Sequence, residues 1–326
     1  MGDWEGHVKE CKKGVSRAGS VFDVAVLLHG LFSPFDDPTL QMRAGDDLVP
    51  PFTDEYRPLN ASSDGVTHIL GSVTRPKERE SNFTWGRTRY GVGYVLVRSV
   101  DDQEDLDTFD SVLDELADDW GVILDLRWGS SGDPELLQRL MGRFVSEPLA
   151  YGRHAFYSTG GLRDDGPLEI QPRGPWTFGG VVYALTGPRT SGPAEHLALM
   201  VRALPNNQTL GEPTSGVGLY AKWEELVPGL SVFRRSGMTF DAEDAQVPID
   251  GLMPSRPIVV DPLEFGPEAD PVLYKALEEI YLIPHEERRQ AKSGDQWPWP
   301  EELKAEGSAE EAGGEGEEED AGSGDS

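Results

Sequence analysis

The stretch VILDLRWGSSGDPE, residues 122–135, decides the class of fold. Its first five residues, Val122–Leu126, form an apolar and largely branched run that is typical of a strand buried on both faces. A loop of small residues follows, and Asp133-Pro134-Glu135 then supplies a helix N-cap, a proline at the first helical position and an early acid. A strand that leads through a short loop into a helix is one unit of an α/β fold.

The same alternation continues on both sides of this stretch. Leucine and aromatic residues recur at spacings of three and four from Leu106 to Trp120, which predicts an amphipathic helix. A further helix is predicted to begin at Asp270-Pro271, since this pair repeats the pattern of Asp133-Pro134. Three other short apolar runs predict strands, at Gly93–Val97, Val181–Leu185 and Pro257–Val260. The sequence therefore predicts an α/β core.

Regularity and composition divide the chain into three parts. Residues 1–88 are less regular and are predicted to form a small N-terminal α/β cap, and residues 89–285 form the core. Residues 286–326 are predicted to be a disordered acidic tail, because from Glu301 onward there are eleven acids, one lysine and a single large apolar residue, Leu303. Such a segment buries too little apolar surface to offset the entropy lost on ordering.

Charge and residue counts limit the classes of partner and cofactor. The 58 acids and 29 bases leave a formal net charge of −29, which repels nucleic acid and anionic membranes, so neither is expected as a partner. The lone Cys11 excludes an intrachain disulfide, and the six histidines are not spaced as metal ligands. No Gly-rich phosphate loop follows a strand, so we expect neither a cofactor nor a metal.

The beginning of the sequence as written lacks the apolar stretch of a signal peptide, and no run is long enough for a membrane helix. Taken as written, the chain is expected to be cytoplasmic, or exported if its N-terminus is truncated. The oligomeric state is left open.

A second strand end, VVYALTGPRTSGPAEH at residues 181–196, again gives a strand, a loop of small residues and a helix start. Backbone amides in such a loop, beside a helix N-terminus, are able to converge on a developing oxyanion. Taken alone, each of the two loops is also compatible with an ordinary tight turn of an α/β protein.

Together the two strand ends resemble the tail-specific (C-terminal-processing) serine protease family. In that family a strand ending in D-L-R-x-N-x-G-G supplies oxyanion amides, and a later T-x-S-A-x-E segment carries the nucleophilic serine. Similar blocks follow in the family's order and cover about residues 22–281: FSPFDDPT at 32–39, GVGYV at 91–95, GEPTSG at 211–216, GLMP at 251–254 and DPVLYKAL at 270–277. The resemblance implies a crotonase-like twisted mixed sheet with crossing helices, no PDZ domain, and a peptide or protein substrate.

The departures from the family pattern fall where the chemistry would be done. Glu195 lies three residues after Gly192, and Pro193 suits the first helical position, so capping-box spacing places Gly192 at the N-cap, where the family has its serine. Ser191 lies one residue earlier. Thr39 occupies the position of the family's upstream histidine, and Val217 that of the lysine found in its lysine-dyad members.

By this resemblance the predicted activity is hydrolysis of peptide bonds through an acyl-enzyme. Ser191 would be the nucleophile, and amides around Ser131, Gly132 and Gly192 would hold the oxyanion. His29 is the candidate base, although a lone histidine on such an apolar stretch is more often a core or capping residue.

Two alternatives remain open. The first is a catalytically degenerate family member that keeps the cleft for peptide or small-ligand binding. The second is an interaction protein in which the acidic tail does the work.

Overall fold

A computed structural model describes residues 4–35, 37, 40–49, 59–70, 77–78, 82–88, 91–129, 132–205, 207–218 and 220–281. The helices are α1 (Trp4–Val15), α2 (Val21–Phe32), α3 (Ser63–Leu70), α4 (Gln103–Glu115), α5 (Pro134–Met141), α6 (Pro193–Ala203) and α7 (Pro271–Tyr281). The strands are β1 (Gln41–Ala44), β2 (Asp47–Leu48), β3 (Lys77–Glu78), β4 (Phe83–Arg87), β5 (Val92–Val97), β6 (Gly121–Asp125), β7 (Leu149–Ser158), β8 (Gly161–Ile170), β9 (Val181–Thr186), β10 (Asn207–Gly211), β11 (Ala221–Val227), β12 (Leu230–Arg235), β13 (Gly237–Asp241) and β14 (Arg256–Pro257).

The largest sheet of the described residues is mixed and has the strand order β14-β10-β9-β6-β5-β4-β3. Strands β5, β6, β9, β10 and β14 run parallel, whereas β4 pairs antiparallel with β5 and β3 at one edge. Helix α4 connects β5 to β6, and α6 connects β9 to β10. The chain passes from β6 to β9 through α5, β7 and β8, and from β10 to β14 through β11, β12 and β13. The predicted α/β class with a mixed sheet is confirmed.

Helices cover both faces of this sheet. Leu106 of α4, Leu137 of α5 and Leu197 of α6 pack in one apolar cluster, whereas Ile69 of α3 and Leu273 of α7 pack in the cluster on the opposite face. All residues of β5, β6 and β9 are buried, which explains why these strands have continuous rather than alternating apolar sequences.

Two smaller sheets lie beside the central one. The first has the order β11-β12-β1-β2, and α2 packs against it through Ala25, which shares an apolar cluster with Met42 and Val232. Helix α2 therefore packs on a sheet that joins residues 41–48 to residues 221–235, and α1 packs against α2. The second has the order β13-β7-β8, in which β8 is an exposed edge strand.

Three of the four predicted strands are confirmed as β5, β6 and β9, and Asp133 caps α5 through hydrogen bonds from the amides of Glu135 and Leu136. The fourth prediction, Pro257–Val260, is wrong for most of its length. Only Arg256–Pro257 pairs, at the edge of the sheet, and Val259 is 86% exposed. A proline has no amide hydrogen to donate, so strands that contain one are confined to sheet edges.

Several sequence-based predictions lie outside the described residues: the acidic tail at 286–326, Thr39 and Ser131. The boundary of the cap at residue 88 falls directly after β4, a strand of the central sheet, and the division into domains stays a prediction. Among the described residues, no helix has the length and apolar character needed to cross a membrane.

Candidate active-site cleft

The two loops singled out in the sequence are in direct contact. Strands β6 and β9 are parallel neighbours, so their carboxyl ends lie at the same edge of the sheet. The Thr190 hydroxyl donates a hydrogen bond to the carbonyl oxygen of Leu126 at 3.0 Å, and the Ser191 amide donates to that of Gly129 at 3.3 Å. The described residues of the two loops, 126–129 and 190–191, are therefore adjacent at this edge.

Gly129 lets the two loops approach closely. A Cβ at this position would lie 2.8 Å from the carbonyl oxygen of Val97 and 3.4 Å from the Cβ of Ala194. The first distance is too short for any side chain, because the neighbouring atom belongs to the backbone. Gly132, two residues before α5, lies beside the backbone of Val100. Its role in holding an oxyanion stays a prediction.

Helix α6 begins as the capping-box spacing predicts. Gly192 is the N-cap residue and Pro193 the first helical residue. The Gly192 amide donates to Oε2 of Glu195 at 3.0 Å, and the Glu195 amide donates to the Gly192 carbonyl oxygen at 3.0 Å. Gly192 has φ 54° and ψ −122°, a left-handed conformation that favours glycine over residues with a side chain.

The Glu195 carboxylate links the N-terminus of α6 to the turn formed by residues 211–218. It is only 6% exposed. Oε2 also accepts the Gly218 amide at 2.6 Å, whereas Oε1 accepts the Gly216 amide at 2.7 Å and the Thr214 hydroxyl. The sequence indicated only the bond to Gly192, because the other donors lie 19 to 23 residues further along the chain.

Val217 lies in this same turn, at the position matching the family's lysine. Its flanking residues, Gly216 and Gly218, both donate to Glu195, and its own amide donates to the Ser215 hydroxyl at 3.3 Å. The backbone of the turn is therefore fixed without any contribution from the Val217 side chain, which has no group that accepts or donates a proton.

The structure places the candidate nucleophile and its candidate base on different elements. Ser191 is partly buried in the loop before α6, and its hydroxyl makes no hydrogen bond to another described residue. His29 is a buried residue near the end of α2, the helix that packs on the β11-β12-β1-β2 sheet, and burial lowers its pKa. No hydrogen bond among the described residues joins the two, and both roles stay predictions.

A buried ion network lies beneath the loops at the end of β6. Arg127 donates from Nε and Nη2 to the two oxygens of Asp125, at 2.9 and 2.6 Å, and from Nη1 to Asp270 at 2.9 Å. All three side chains are fully buried. Burial alone would lower the pKa of Arg127, but the charges of Asp125 and Asp270 outweigh it and the pKa is raised. Asp270 also accepts the Leu273 amide and so caps α7.

This network joins β6 to α7 beneath the two loops. The arginine of the Asp-Leu-Arg motif, which the family pattern places on the oxyanion strand, is fully buried in the core. Its bond to Asp270 leaves no local pattern in the sequence, because Asp270 lies 143 residues after Arg127.

Behind Glu195, a small cavity of about 40 Å³ contains two buried histidines, His154 and His196. Burial lowers the pKa of His154 to about 4. Burial and the neighbouring His154 lower the pKa of His196 to about 3. Both imidazoles are therefore neutral near pH 7. His196 directly follows Glu195 on α6. Among the described residues, no cluster of three or more histidine, cysteine, aspartate or glutamate side chains could hold a metal ion.

Comparison with known proteins gives matches of structure only. No family model and no curated protein matches the sequence. A proposed peptidase from Parabacteroides merdae is similar over 79% of this chain and 82% of its own, with a TM-score of 0.70 and 18% identity. Mature CPAF is similar over 77% of this chain and 62% of its own, with a TM-score of 0.56 and 10% identity.

A lipoprotein from Streptococcus agalactiae is similar over 86% of this chain and 88% of its own, with a TM-score of 0.52 and 12% identity. At identities this low, similarity shows the fold and not the activity. The fold implied by the sequence motifs is confirmed, and the chain has the fold of the tail-specific (S41) peptidases.

Proposed function

We propose that this protein is a catalytically degenerate relative of the tail-specific peptidases, which binds peptide in the cleft beside the 126–132 and 187–192 loops without cleaving it. The observation that carries the proposal is Gly192. It occupies the N-cap of α6, where the family has its serine, in a left-handed conformation held by Glu195.

The chemistry of the neighbouring residues supports the loss of catalysis. A serine becomes a nucleophile only when a base takes its proton. Val217 offers no base in the turn beside α6, and the hydrogen bonds within the described residues bring none to Ser191. Gly192 has no hydroxyl, so the N-cap residue of α6 offers no nucleophile for a base to activate.

The same contacts support the retention of a cleft. Glu195 joins α6 to the 211–218 turn through backbone amides, and the 126–132 loop touches the 187–192 loop through backbone carbonyls. These bonds do not depend on the side chains of a catalytic dyad or triad. A binding surface that rests on them is preserved when the catalytic side chains are replaced.

Serine-type peptide hydrolysis through an acyl-enzyme is the second candidate, favoured by the position of Ser191 beside the N-terminus of α6. Ser191 would attack, His29 would act as base, and amides around Ser131, Gly132 and Gly192 would hold the oxyanion. One of these donors is already engaged, because the Gly192 amide donates to Glu195. An oxyanion would have to compete with this buried carboxylate for the same hydrogen.

Labelling with a fluorophosphonate probe separates the two candidates. We expect the wild-type protein to stay unlabelled, and a library of fluorescent peptides to yield members that bind and are recovered intact. The matched variants are Ser191→Ala and Ser158→Ala; Ser158 is the exposed last residue of β7. Labelling and peptide cleavage in the wild type and in Ser158→Ala, both lost in Ser191→Ala, would establish the hydrolase instead.

A further inference from the structure

The cavity behind Glu195 lies where helix α6, the 216–218 turn and the β13-β7-β8 sheet meet. Glu195, which lines the cavity, also caps the N-terminus of α6, so the cavity adjoins the proposed peptide cleft. Its polar lining includes His154, His196, Tyr220 and Arg235, and Leu199, Met238 and Leu252 are among its apolar walls.

Four buried nitrogen atoms of these side chains have no hydrogen-bond partner among the described residues. They are both ring nitrogens of His196, Nε2 of His154 and Nε of Arg235. The two histidines are 4% and 2% exposed. A buried polar group without a partner loses its hydration with no hydrogen bond in return, so several such groups around one cavity indicate that a bound molecule supplies the partners.

The protonation state of the histidines specifies the chemistry of that partner. A neutral imidazole has one nitrogen that donates and one that accepts. His196 therefore needs one acceptor and one donor, whereas Arg235 Nε needs an acceptor. His154 shares its Nδ1 with the Thr239 hydroxyl at 3.1 Å, which leaves Nε2 for the ligand in either role. A group that both accepts and donates is complementary to this set.

The charges around the cavity disfavour an ion. Arg235 also donates from Nη2 to the carbonyl oxygens of Gly216 and Ile249, so it stays in the cavity wall, and its positive charge repels an ammonium group. The Glu195 carboxylate lines the same cavity, and the Asp165 carboxylate acts electrostatically on His154 and Tyr220. A buried carboxylate would therefore find no excess positive charge to compensate its lost hydration. The partner is accordingly uncharged.

The volume of the cavity and its access to the surface further limit the chemical groups that it could hold. A volume of about 40 Å³ holds about three water-sized groups at roughly 10–15 Å³ each, which matches the three heavy atoms of a carboxamide. Tyr157 and Ile249 line the cavity and are 50% and 45% exposed, so its rim reaches the surface. The apolar walls suit an aliphatic stem leading to a polar tip.

We propose that this cavity is a subsite for a carboxamide side chain, an asparagine or glutamine of the bound peptide. Its carbonyl oxygen accepts from Arg235 and an imidazole, and its amide group donates to an imidazole acceptor. The identity of the side chain as part of a peptide rests on the proposed function; the carboxamide preference of the cavity does not.

The test uses blocked tripeptides, acetyl-Ala-X-Ala-amide with X as glutamine, glutamate, methionine or lysine, and acetamide and acetate as small probes. Binding is followed through the imidazole resonances of His154 and His196 in the full chain. We expect the glutamine peptide to bind at least about tenfold more tightly than the other three, and acetamide but not acetate to shift the same resonances. His196→Phe removes this preference, whereas His68→Phe, on the exposed side of α3, keeps it.

The outcomes separate this subsite from the proposed function. Equal binding of the four peptides with unshifted imidazoles overturns the carboxamide subsite and leaves a peptide-binding cleft intact. A shift with acetamide but with none of the peptides supports the subsite and overturns peptide binding. The measurements on the wild-type chain stand even if His196→Phe does not fold. Imidazoles that respond to neither acetamide nor the glutamine peptide show that only water fills the cavity.

Discussion

Replacing Gly192 by serine tests whether the backbone at the start of α6 requires glycine. From capping alone, a serine at an N-cap is better than glycine by a few tenths of a kcal/mol. Gly192, however, has φ 54° and ψ −122°, whereas an N-cap serine prefers extended backbone angles. Holding a residue with a Cβ in such a conformation costs about 1–3 kcal/mol.

The strain exceeds the capping gain, so Gly192→Ser is expected to lower the free energy of unfolding by about 1–2 kcal/mol. In a protein of this size that corresponds to a fall of roughly 2–8 °C in melting temperature, at about 2–4 °C per kcal/mol. The measurement is urea unfolding, with Gly192→Ala as the matched control because it adds the Cβ without the hydroxyl. The Gly192→Ala protein is expected to be less stable than Gly192→Ser by the capping contribution of the hydroxyl, about 0.5–2 kcal/mol.

A Gly192→Ser protein as stable as the wild type, beside a Gly192→Ala protein that loses more than about 1 kcal/mol, would refute this reasoning. It would mean that the hydroxyl caps α6 from a relaxed backbone. The same variant tests chemistry, since it restores a hydroxyl at the family's serine position. We expect it to remain unlabelled by a fluorophosphonate, because Val217 leaves that hydroxyl without a base in the adjoining turn.

Four substitutions test the framework of the site and its buried histidines. Glu195→Gln is expected to lose about 1–3 kcal/mol in urea unfolding, because either orientation of the amide turns its NH₂ group toward backbone donors. Asp270→Asn is expected to lower the free energy of unfolding by about 3–5 kcal/mol, because the charge of Arg127 is then compensated only by Asp125. Arg127→Met leaves two buried carboxylates without their cation and is expected to lower it by at least as much. Losses under about 1 kcal/mol would contradict a tightly coupled network. The lowered pKa values of His154 and His196 mean that the unfolded chain binds more protons than the folded protein below about pH 6.5, so the free energy of unfolding falls as the pH drops from 6.5 toward 4. The slope of that free energy against pH, measured between pH 7 and 5, should be shallower in His196→Phe. An unchanged slope would count against a buried neutral His196.

Local sequence patterns were sufficient for the elements that meet at the cleft. Strands β5, β6 and β9 are buried on both faces, so each has a continuous apolar run that periodicity detects. The N-cap positions of α5 and α6 follow from Asp133-Pro134 and from the spacing of Gly192 and Glu195, because capping involves residues close in sequence.

Contacts between distant segments could not be predicted in this way. The pairing of β1 with β12 joins Gln41 to Phe233, and the salt bridge of Arg127 with Asp270 spans a similar separation. Neither leaves a local pattern, because the partners are brought together only by the tertiary fold. His154 and His196 lie on β7 and α6, which are also distant in sequence. No local pattern therefore predicts that they line one cavity.

The contacts that hold the site are compatible with the proposed loss of the catalytic side chains. The two loops and the 211–218 turn are held by backbone amides and carbonyls, by the Glu195 carboxylate and by the buried ion pairs of Arg127, and none of these contacts uses a side chain at Gly192 or Val217. A glycine at the start of α6 relieves backbone strain that a serine would have to bear. In the catalytically degenerate relative that we propose, stability therefore favours Gly192, whereas ligand binding depends on the framework of backbone contacts.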